Sequence, residues 1–188
     1  YFPVVSVLGL MLMLFGLVMG FPLAVSFALH DGATQAYDLA ILATFATGLL
    51  LWSSTRGARR DLHVSDGFLL VAATWLIVPV FGALPLMLYL PELSFTDAYF
   101  EAASGLTTTG ATVLTGLDAL PVSINLWRTF MHWVGVMGVI VLMVAVLPLL
   151  GIGGRQIFRA ETPGPMKESS LTPRITETAK GLWLVYVV

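Results

Sequence analysis

Threonine and glycine dominate the segment 105–112, which reads Gly-Leu-Thr-Thr-Thr-Gly-Ala-Thr. A monovalent cation that gives up its hydration water needs replacement oxygens, and backbone carbonyl groups supply them without a fixed charge. Gly110 can adopt backbone conformations that are closed to other residues, so that successive carbonyl groups turn toward one axis. The threonines beside it add hydroxyl oxygens. The segment therefore predicts a turn that coordinates a cation.

A short helix is predicted directly before this turn. Ser94, followed three residues later by Asp97, is typical of a helix start, and residues 98–104 have a helical composition. A helix of about ten residues is about 15 Å long, which is half of the ~30 Å hydrocarbon core of a bilayer. The partly negative C-terminal end of such a helix favours a cation in the turn that follows it.

The chain is then expected to return through residues 113–120, and Ser123 is expected to cap the next helix at its N-terminus. A short helix, a polar turn and an extended return form a re-entrant hairpin. Non-helical backbone at membrane depth is tolerated only where protein buries it or where it lines a water-filled cavity. The segment 91–122 therefore predicts part of a pore.

Acidic residues surround the predicted turn. The segment 91–122 contains four carboxylates and no Lys or Arg, namely Glu92, Asp97, Glu101 and Asp118. Such a surplus of negative charge would concentrate cations at the mouth of a pore. Arg128, near the outer end of the next helix, is a hypothetical charge partner for Asp97 or Glu101 behind the turn. The alternative is a side chain that extends to the lipid headgroups.

The composition decides which elements position these residues. Of the 188 residues, 57% are hydrophobic and 11% are charged, which excludes an ordinary water-soluble enzyme. The net charge of −2 excludes a broad basic surface for nucleic acid, and the lack of cysteine excludes a thiolate metal site and a Cys nucleophile. Apolar stretches of membrane-spanning character lie at 2–29, 37–52, 67–90 and 126–150, and a fifth begins at 181.

The basic residues predict the orientation of these spans. All Lys and Arg except Arg128 lie in the segments 53–66 and 151–180, which are therefore expected on the cytoplasmic side. The loop at 30–31 and the segment 91–122 then face outward. The N-terminus is expected in the cytoplasm.

The predicted fold is an all-α membrane protein. Residues 1–60 are expected to form an N-terminal pair of transmembrane helices. Residues 61–154 are expected to form one pore repeat, with a first transmembrane helix, a re-entrant pore helix, a filter loop and a second transmembrane helix. Residues 155–188 are expected to form a cytoplasmic linker and the start of a further span.

Longer motifs add a resemblance to a known family. The succession from Ser104 to Thr112 is similar to the first pore loop of the Trk/Ktr/HKT potassium transporters. Segments that resemble TrkH-type subunits follow it, at Leu126–Arg128, His132–Gly138, Leu147–Gly154, Arg159–Glu161, Pro163–Pro165, Leu171–Ile175 and Glu177–Lys180. The resemblance covers the chain from about residue 67 to its end, and the first two spans match only in topology.

The resemblance implies a function and a set of partners. By position, Thr108, Thr109, Gly110 and Ala111 match the stretch that forms the potassium filter of the first repeat. The implied assembly is a pseudo-fourfold pore of four repeats in one polypeptide, of which this chain is the N-terminal fragment. A homodimer in a bacterial plasma membrane, a cytoplasmic nucleotide-binding regulatory partner of the TrkA type and K⁺ as the transported ion are also implied. No organic cofactor and no covalent chemistry are expected.

The alternative from another class is an intramembrane serine hydrolase that uses Ser104 and His132. Ser104-Gly105 matches the end of a Gly-x-Ser-Gly nucleophile motif, but position 102 is Ala. A serine nucleophile needs a base held within hydrogen-bond reach. The sequence favours ion passage over hydrolysis.

Overall fold

A computed structural model describes residues 2–55, 64–149, 181 and 184–186. Every regular element within these ranges is helical. The helices are α1 (Phe2–Val18), α2 (Gly20–Leu29), α3 (Thr34–Thr55), α4 (Val64–Gly82), α5 (Leu84–Tyr89), α6 (Phe95–Leu106) and α7 (Val122–Leu149), with a 3₁₀ turn at Leu117–Ala119 before α7. Residues 1–135 form one compact unit, and residues 136–188 are assigned to a second.

The first three predicted spans are confirmed in length and composition. Val4–Leu29, Thr34–Thr55 and Asp66–Tyr89 are long and apolar enough to cross a membrane. The predicted fourth span corresponds to α7, which has 28 residues and is therefore about 42 Å long. The predicted fifth span lies mostly outside the described residues, as do the predicted domain boundaries at 60/61 and 154/155.

Two of the spans contain a helix break that follows from proline chemistry. Pro22 has no N–H group for the carbonyl of Val18, where α1 ends. Pro85 likewise has none for the carbonyl of Phe81, one residue before the end of α4. Each span therefore consists of two helical pieces in succession.

The predicted start of the short helix before the polar turn is confirmed. Ser94 is the N-cap of α6, where its hydroxyl accepts a hydrogen bond from the backbone N–H of Asp97 at 3.1 Å and donates one to Asp97 Oδ2 at 2.7 Å. This arrangement satisfies a helix N–H group that has no partner within the helix. With 12 residues, α6 is about 18 Å long, too short to cross a bilayer.

The prediction that Ser123 caps α7 is wrong. The helix begins at Val122, and the carbonyl of Pro121 already accepts a hydrogen bond from the backbone N–H of Asn125 at 3.1 Å. Ser123 therefore lies within the first turn. Its backbone N–H donates to Asp31 Oδ2 at 3.0 Å, so that a carboxylate distant in sequence replaces the local cap.

The core of the first unit contains side chains from α1, α3, α4, α5, α6 and α7. Its fully buried large side chains include Leu12, Met19, Tyr37, Trp127 and Met131. The indole N–H of Trp127 donates to the carbonyl oxygen of Gly82 at 2.9 Å, at the break between α4 and α5. This packing fixes the part of α7 against which α6 rests.

Candidate ion-coordination site

The polar turn after α6 has an unusual backbone. Thr108 has a φ of 59° and Gly110 has a φ of 77°, both in the left-handed region. A β-branched residue rarely adopts this conformation, and strain of this kind is concentrated at functional sites. The glycine at position 110 meets the conformational requirement that the sequence predicted.

Hydrogen bonds tie the amide groups of the turn to the end of α6. The backbone N–H of Thr109 donates to the carbonyl of Ser104 at 2.9 Å, and that of Gly110 donates to the same oxygen at 3.4 Å. The N–H of Thr108 donates to the carbonyl of Gly105 at 2.9 Å. The backbone N–H groups of the turn therefore hold it against α6, and its backbone carbonyl oxygens are left available to coordinate an ion.

The carbonyl oxygens of Thr108, Thr109 and Gly110 accept no hydrogen bond from any residue that the structure describes. The fourth predicted ligand differs, because the hydroxyl of Ser104 donates to the carbonyl oxygen of Ala111 at 2.7 Å. All four residues are exposed, whereas Ser104 behind them is buried. Exposed residues of the turn thus carry unpaired backbone oxygens, the ligands that suit a dehydrated monovalent cation.

Hydrogen bonds also hold the hydroxyl groups of Thr107 and Thr109. Thr107 Oγ1 donates its hydrogen to the carbonyl of Ala103 at 2.7 Å and lies 2.8 Å from Thr109 Oγ1. Because Thr107 has one hydroxyl hydrogen, Thr109 donates in the second contact. The Thr109 hydroxyl oxygen keeps acceptor capacity beside the free carbonyls.

Glu101 anchors the return segment from behind. Its Oε1 accepts hydrogen bonds from the backbone N–H groups of Val113 at 2.7 Å and Leu114 at 3.3 Å, and from the hydroxyl of Thr112. The residue is only 4% exposed. A single buried carboxylate on α6 therefore fixes three successive residues of an otherwise irregular segment.

Arg128 neutralises this carboxylate. Its Nε and Nη2 atoms each lie 3.0 Å from Glu101 Oε2, and Nη2 also donates to Thr112 Oγ1 at 3.0 Å. The sequence predicted Asp97 or Glu101 as the partner of Arg128, and the structure pairs Arg128 with Glu101. Asp97 is not part of this ion pair, because its carboxylate is bound to Ser94 at the opposite end of α6.

Burial raises the pKa of Glu101, but the hydrogen bonds from Thr112 and Val113 and the charge and hydrogen bonds of Arg128 outweigh burial and bring the pKa below its usual value. The carboxylate is therefore ionised at neutral pH. A buried ion pair is stable only when its remaining hydrogen-bonding groups are satisfied. Here Thr112 and Asn125 also contact Arg128, so the network around the pair has several partners.

Glycines allow α7 to lie directly against the end of α6. A methyl group on Gly135 would overlap the backbone carbonyl group of Leu106. One on Gly105 would lie 3.0 Å from Cβ of Met131. The helices approach closely at Gly135, whereas a methyl group on Gly138 would meet no described atom within 4 Å. The end of α6, from which the turn emerges, is thus fixed by backbone contact.

Sequence reasoning missed the link between the N-terminal helices and α7. Asp31 accepts hydrogen bonds from the Ser26 hydroxyl at 2.6 Å and the Ala33 N–H at 3.2 Å, in addition to that from Ser123. The hydroxyl of Tyr37 donates to the carbonyl of Ser123 at 2.8 Å. The only signal in the sequence was one acid, Asp31, in the short connection between two apolar stretches.

The hydrolase alternative lacks its required contact. The Ser104 hydroxyl donates to the carbonyl of Ala111, and His132 Nδ1 lies 2.9 Å from the carbonyl oxygen of Arg128. No hydrogen bond joins the two side chains. His132 therefore does not serve as a base for Ser104.

These features define an all-helical membrane protein in which a short helix and an oxygen-lined turn lie between two longer helices. A family model described as "TrkH: Cation transport protein" matches residues 33–188. The chain belongs to this family of cation transport proteins, which is not a family of enzymes.

Individual relatives agree with the family. The chain is 51% identical over 184 residues to the "Trk system potassium uptake protein TrkH" of Halomonas elongata. It is 46% identical over 186 residues to the protein of the same name from Escherichia coli K12. These alignments cover 97% and 98% of the chain, but the chain spans only 38% of the length of each relative.

A solved structure is similar as well. The crystal structure of the potassium transporter TrkH from Vibrio parahaemolyticus matches with a TM-score of 0.80 and 41% identity. The match covers 98% of this chain and 36% of that one.

Proposed function

We propose that this chain contributes one quarter of the ion pathway of a Trk-type potassium uptake protein, with the filter at Thr108–Ala111. The observation that carries the proposal is that the exposed residues Thr108, Thr109 and Gly110 have carbonyl oxygens that accept no hydrogen bond from a described residue, in a turn held by hydrogen bonds to α6. The family match and the names of the relatives support potassium as the ion.

In the proposed mechanism, carbonyl dipoles replace the water that surrounds a potassium ion. The C-terminal end of α6 lies directly behind the turn, and its partial negative charge favours a cation there. The ion pair of Glu101 and Arg128 keeps the return segment at a fixed distance from α6. Because a potassium filter uses four such loops, three further repeats would complete the coordination shell.

The proposed placement in the membrane follows the same reasoning. We place α6 and the turn in a re-entrant hairpin that enters from the outer face, with the N-terminus in the cytoplasm. Residues 1–60 act as a helix pair beside the pore repeat of residues 61–154, and residues 155–188 lead to the next span. The acidic residues of segment 91–122 then face the side from which potassium arrives.

The proposed assembly is a homodimer in a bacterial plasma membrane with a cytoplasmic regulatory subunit of the TrkA type. Potassium is the transported ion and not a resident cofactor. The names of the relatives, which place them in a Trk system, support a complex of more than one kind of subunit.

The test is a substitution of the filter glycine in a full-length transporter that carries this chain. Gly110→Ala adds a methyl group where φ is 77°, which strains the turn. We expect the preference for K⁺ over Na⁺ to fall by about tenfold, which corresponds to about 1.4 kcal/mol of differential binding. Uptake of both ions into cells that lack other potassium transporters measures this preference.

Gly116→Ala is the matched control. Gly116 also has a positive φ, 67°, and a methyl group there would meet no described atom within 4 Å. The backbone strain is therefore similar, but the position lies outside the filter. If both variants lost the ion preference equally, or if neither variant lost it, the filter assignment would be contradicted.

A further inference from the structure

The ring of His132 lies in a slot between two glycines of the pore repeat. A methyl group on Gly105, near the end of α6, would lie 3.7 Å from Nδ1 of the ring. A methyl group on Gly110, in the filter turn, would lie 3.9 Å from Nε2. The ring therefore spans the distance from the pore helix to the filter glycine, on the side where neither residue has a side chain of its own.

A hydrogen bond fixes the orientation of the ring. Nδ1 lies 2.9 Å from the carbonyl oxygen of Arg128, one helical turn earlier on α7. A carbonyl oxygen only accepts hydrogen bonds, so Nδ1 carries the hydrogen and donates it. This bond and the packing of the ring between Gly105 and Gly110 together hold it beside the turn, and a ring of similar size keeps the packing without the bond.

The turn itself has few constraints on that side. Its amide groups are bound to Ser104 and Gly105, and Glu101 holds the return segment from Thr112 onward. Gly110 has no side chain of its own that would limit its movement toward the His132 ring. Apart from the two chain neighbours of Gly110, the His132 ring is the only described group that lies within 4 Å of a methyl group placed on this glycine.

We propose that His132 is a specificity-determining residue of the filter, whose ring forms a rear wall that keeps Gly110 from receding. The inference rests on the proposed function, because it assumes that ions pass along the carbonyl face of Thr108–Ala111. Without the wall, the turn relaxes and adjusts to ions of other sizes. A filter of adjustable width discriminates less between K⁺ and Na⁺.

The experiment compares two substitutions in a full-length transporter that carries this chain. His132→Ala removes the ring and opens the space behind Gly110, whereas His132→Phe keeps a planar ring of similar size but loses the bond to Arg128. We expect the K⁺ over Na⁺ preference of the alanine variant to fall by about fivefold to tenfold, and that of the phenylalanine variant to stay within about twofold of the original.

The preference is a ratio of two rates, so a lower amount of folded protein does not alter it. Thr129→Ala is the control, because Thr129 lies on the same helix, is exposed and bonds only to carbonyls of its own helix. An unchanged preference in His132→Ala, or an equal loss in the alanine and phenylalanine variants, would overturn the rear wall. Failure of the proposed function is distinguishable, since the unsubstituted protein would then show no selective potassium uptake.

Discussion

Glu101 is the residue on which the conformation of the return segment depends. It is a carboxylate on a short helix, and it binds two backbone N–H groups, one hydroxyl and one guanidinium. Hydrogen bonds to a charged group contribute more than neutral ones, and the loss of one member leaves the others buried and unpaired. We therefore assign to Glu101 the role of holding the proposed filter turn in place.

A first prediction concerns this carboxylate. Glu101→Gln keeps the size of the side chain but leaves Arg128 buried without a counter-charge. We expect the free energy of unfolding to fall by about 3 kcal/mol, near the lower end for breaking a buried ion pair. Thermal unfolding in detergent measures the change.

Glu92→Gln is the control, since Glu92 is an exposed acid in the same outer segment. The double variant Glu101→Gln with Arg128→Gln should recover part of the loss, because it removes both charges together. Equal stability of the Glu101 and Glu92 variants would refute the anchoring role of Glu101.

At the scale of elements, the contact between α6 and α7 decides where the polar turn after α6 lies. The backbone of α7 at Gly135 rests on the carbonyl group of Leu106, the last residue of α6. The distance between the two helices is therefore set by the absence of a side chain. Any group larger than hydrogen at this position has to displace the end of α6.

A second prediction follows from this contact. Gly135→Ala should lower the free energy of unfolding by about 1–3 kcal/mol, as expected for overpacking, and reduce potassium uptake. Helix propensity alone would predict the opposite sign, because Ala is favoured over Gly in a helix interior by about 0.5–1 kcal/mol. The sign of the change thus separates the two effects.

Gly138→Ala provides the comparison for this prediction. The site lies on the same helix, and a methyl group there would meet no described atom within 4 Å. We expect unchanged or slightly raised stability. If Gly135→Ala behaved in the same way, the close contact with Leu106 would not exist in the folded protein.

At the scale of the whole molecule, the N-terminal helices hold the beginning of the helix that follows the polar turn. Asp31, between α2 and α3, binds the first turn of α7 at Ser123, 92 residues later in the chain. Tyr37 binds the carbonyl of the same residue. The helix pair therefore fixes the beginning of α7, whose later residues hold α6.

A third prediction tests this link through its pH dependence. Burial raises the pKa of Asp31, but hydrogen bonds from Ser26, Ser123 and Ala33 bring it below the ordinary value of 3.8. A carboxyl whose pKa is lower in the folded state stabilises the fold when ionised, and this contribution is lost as the pH falls through the folded pKa. At neutral pH it is fully present.

Asp31→Asn should therefore lower the stability at pH 7 by about 1 kcal/mol, a value reduced for the partial exposure of the site. The difference from the original protein should stay constant down to about pH 5 and shrink in stronger acid. Asp38→Asn, at an exposed position on α3, is the control. A difference that grows toward acid pH would contradict the assigned sign.

The features that depend on neighbouring residues could be predicted from the amino-acid sequence. The apolar spans follow from composition over about twenty residues, the start of α6 from Ser94 and Asp97, and the left-handed turn from Gly110. Each of these is a local property, because a bilayer, a helix cap and a backbone angle act on contiguous chain.

Contacts between groups that are distant in the chain depend on the three-dimensional fold. It paired Arg128 with Glu101 and left Asp97 at the cap, and it placed Asp31 at the start of α7 where a local serine was expected. The choice between two acids on one helix depends on how α6 and α7 cross. That crossing is set by backbone contact at Gly135, far from either acid in the chain, so no pattern of adjacent residues contained it.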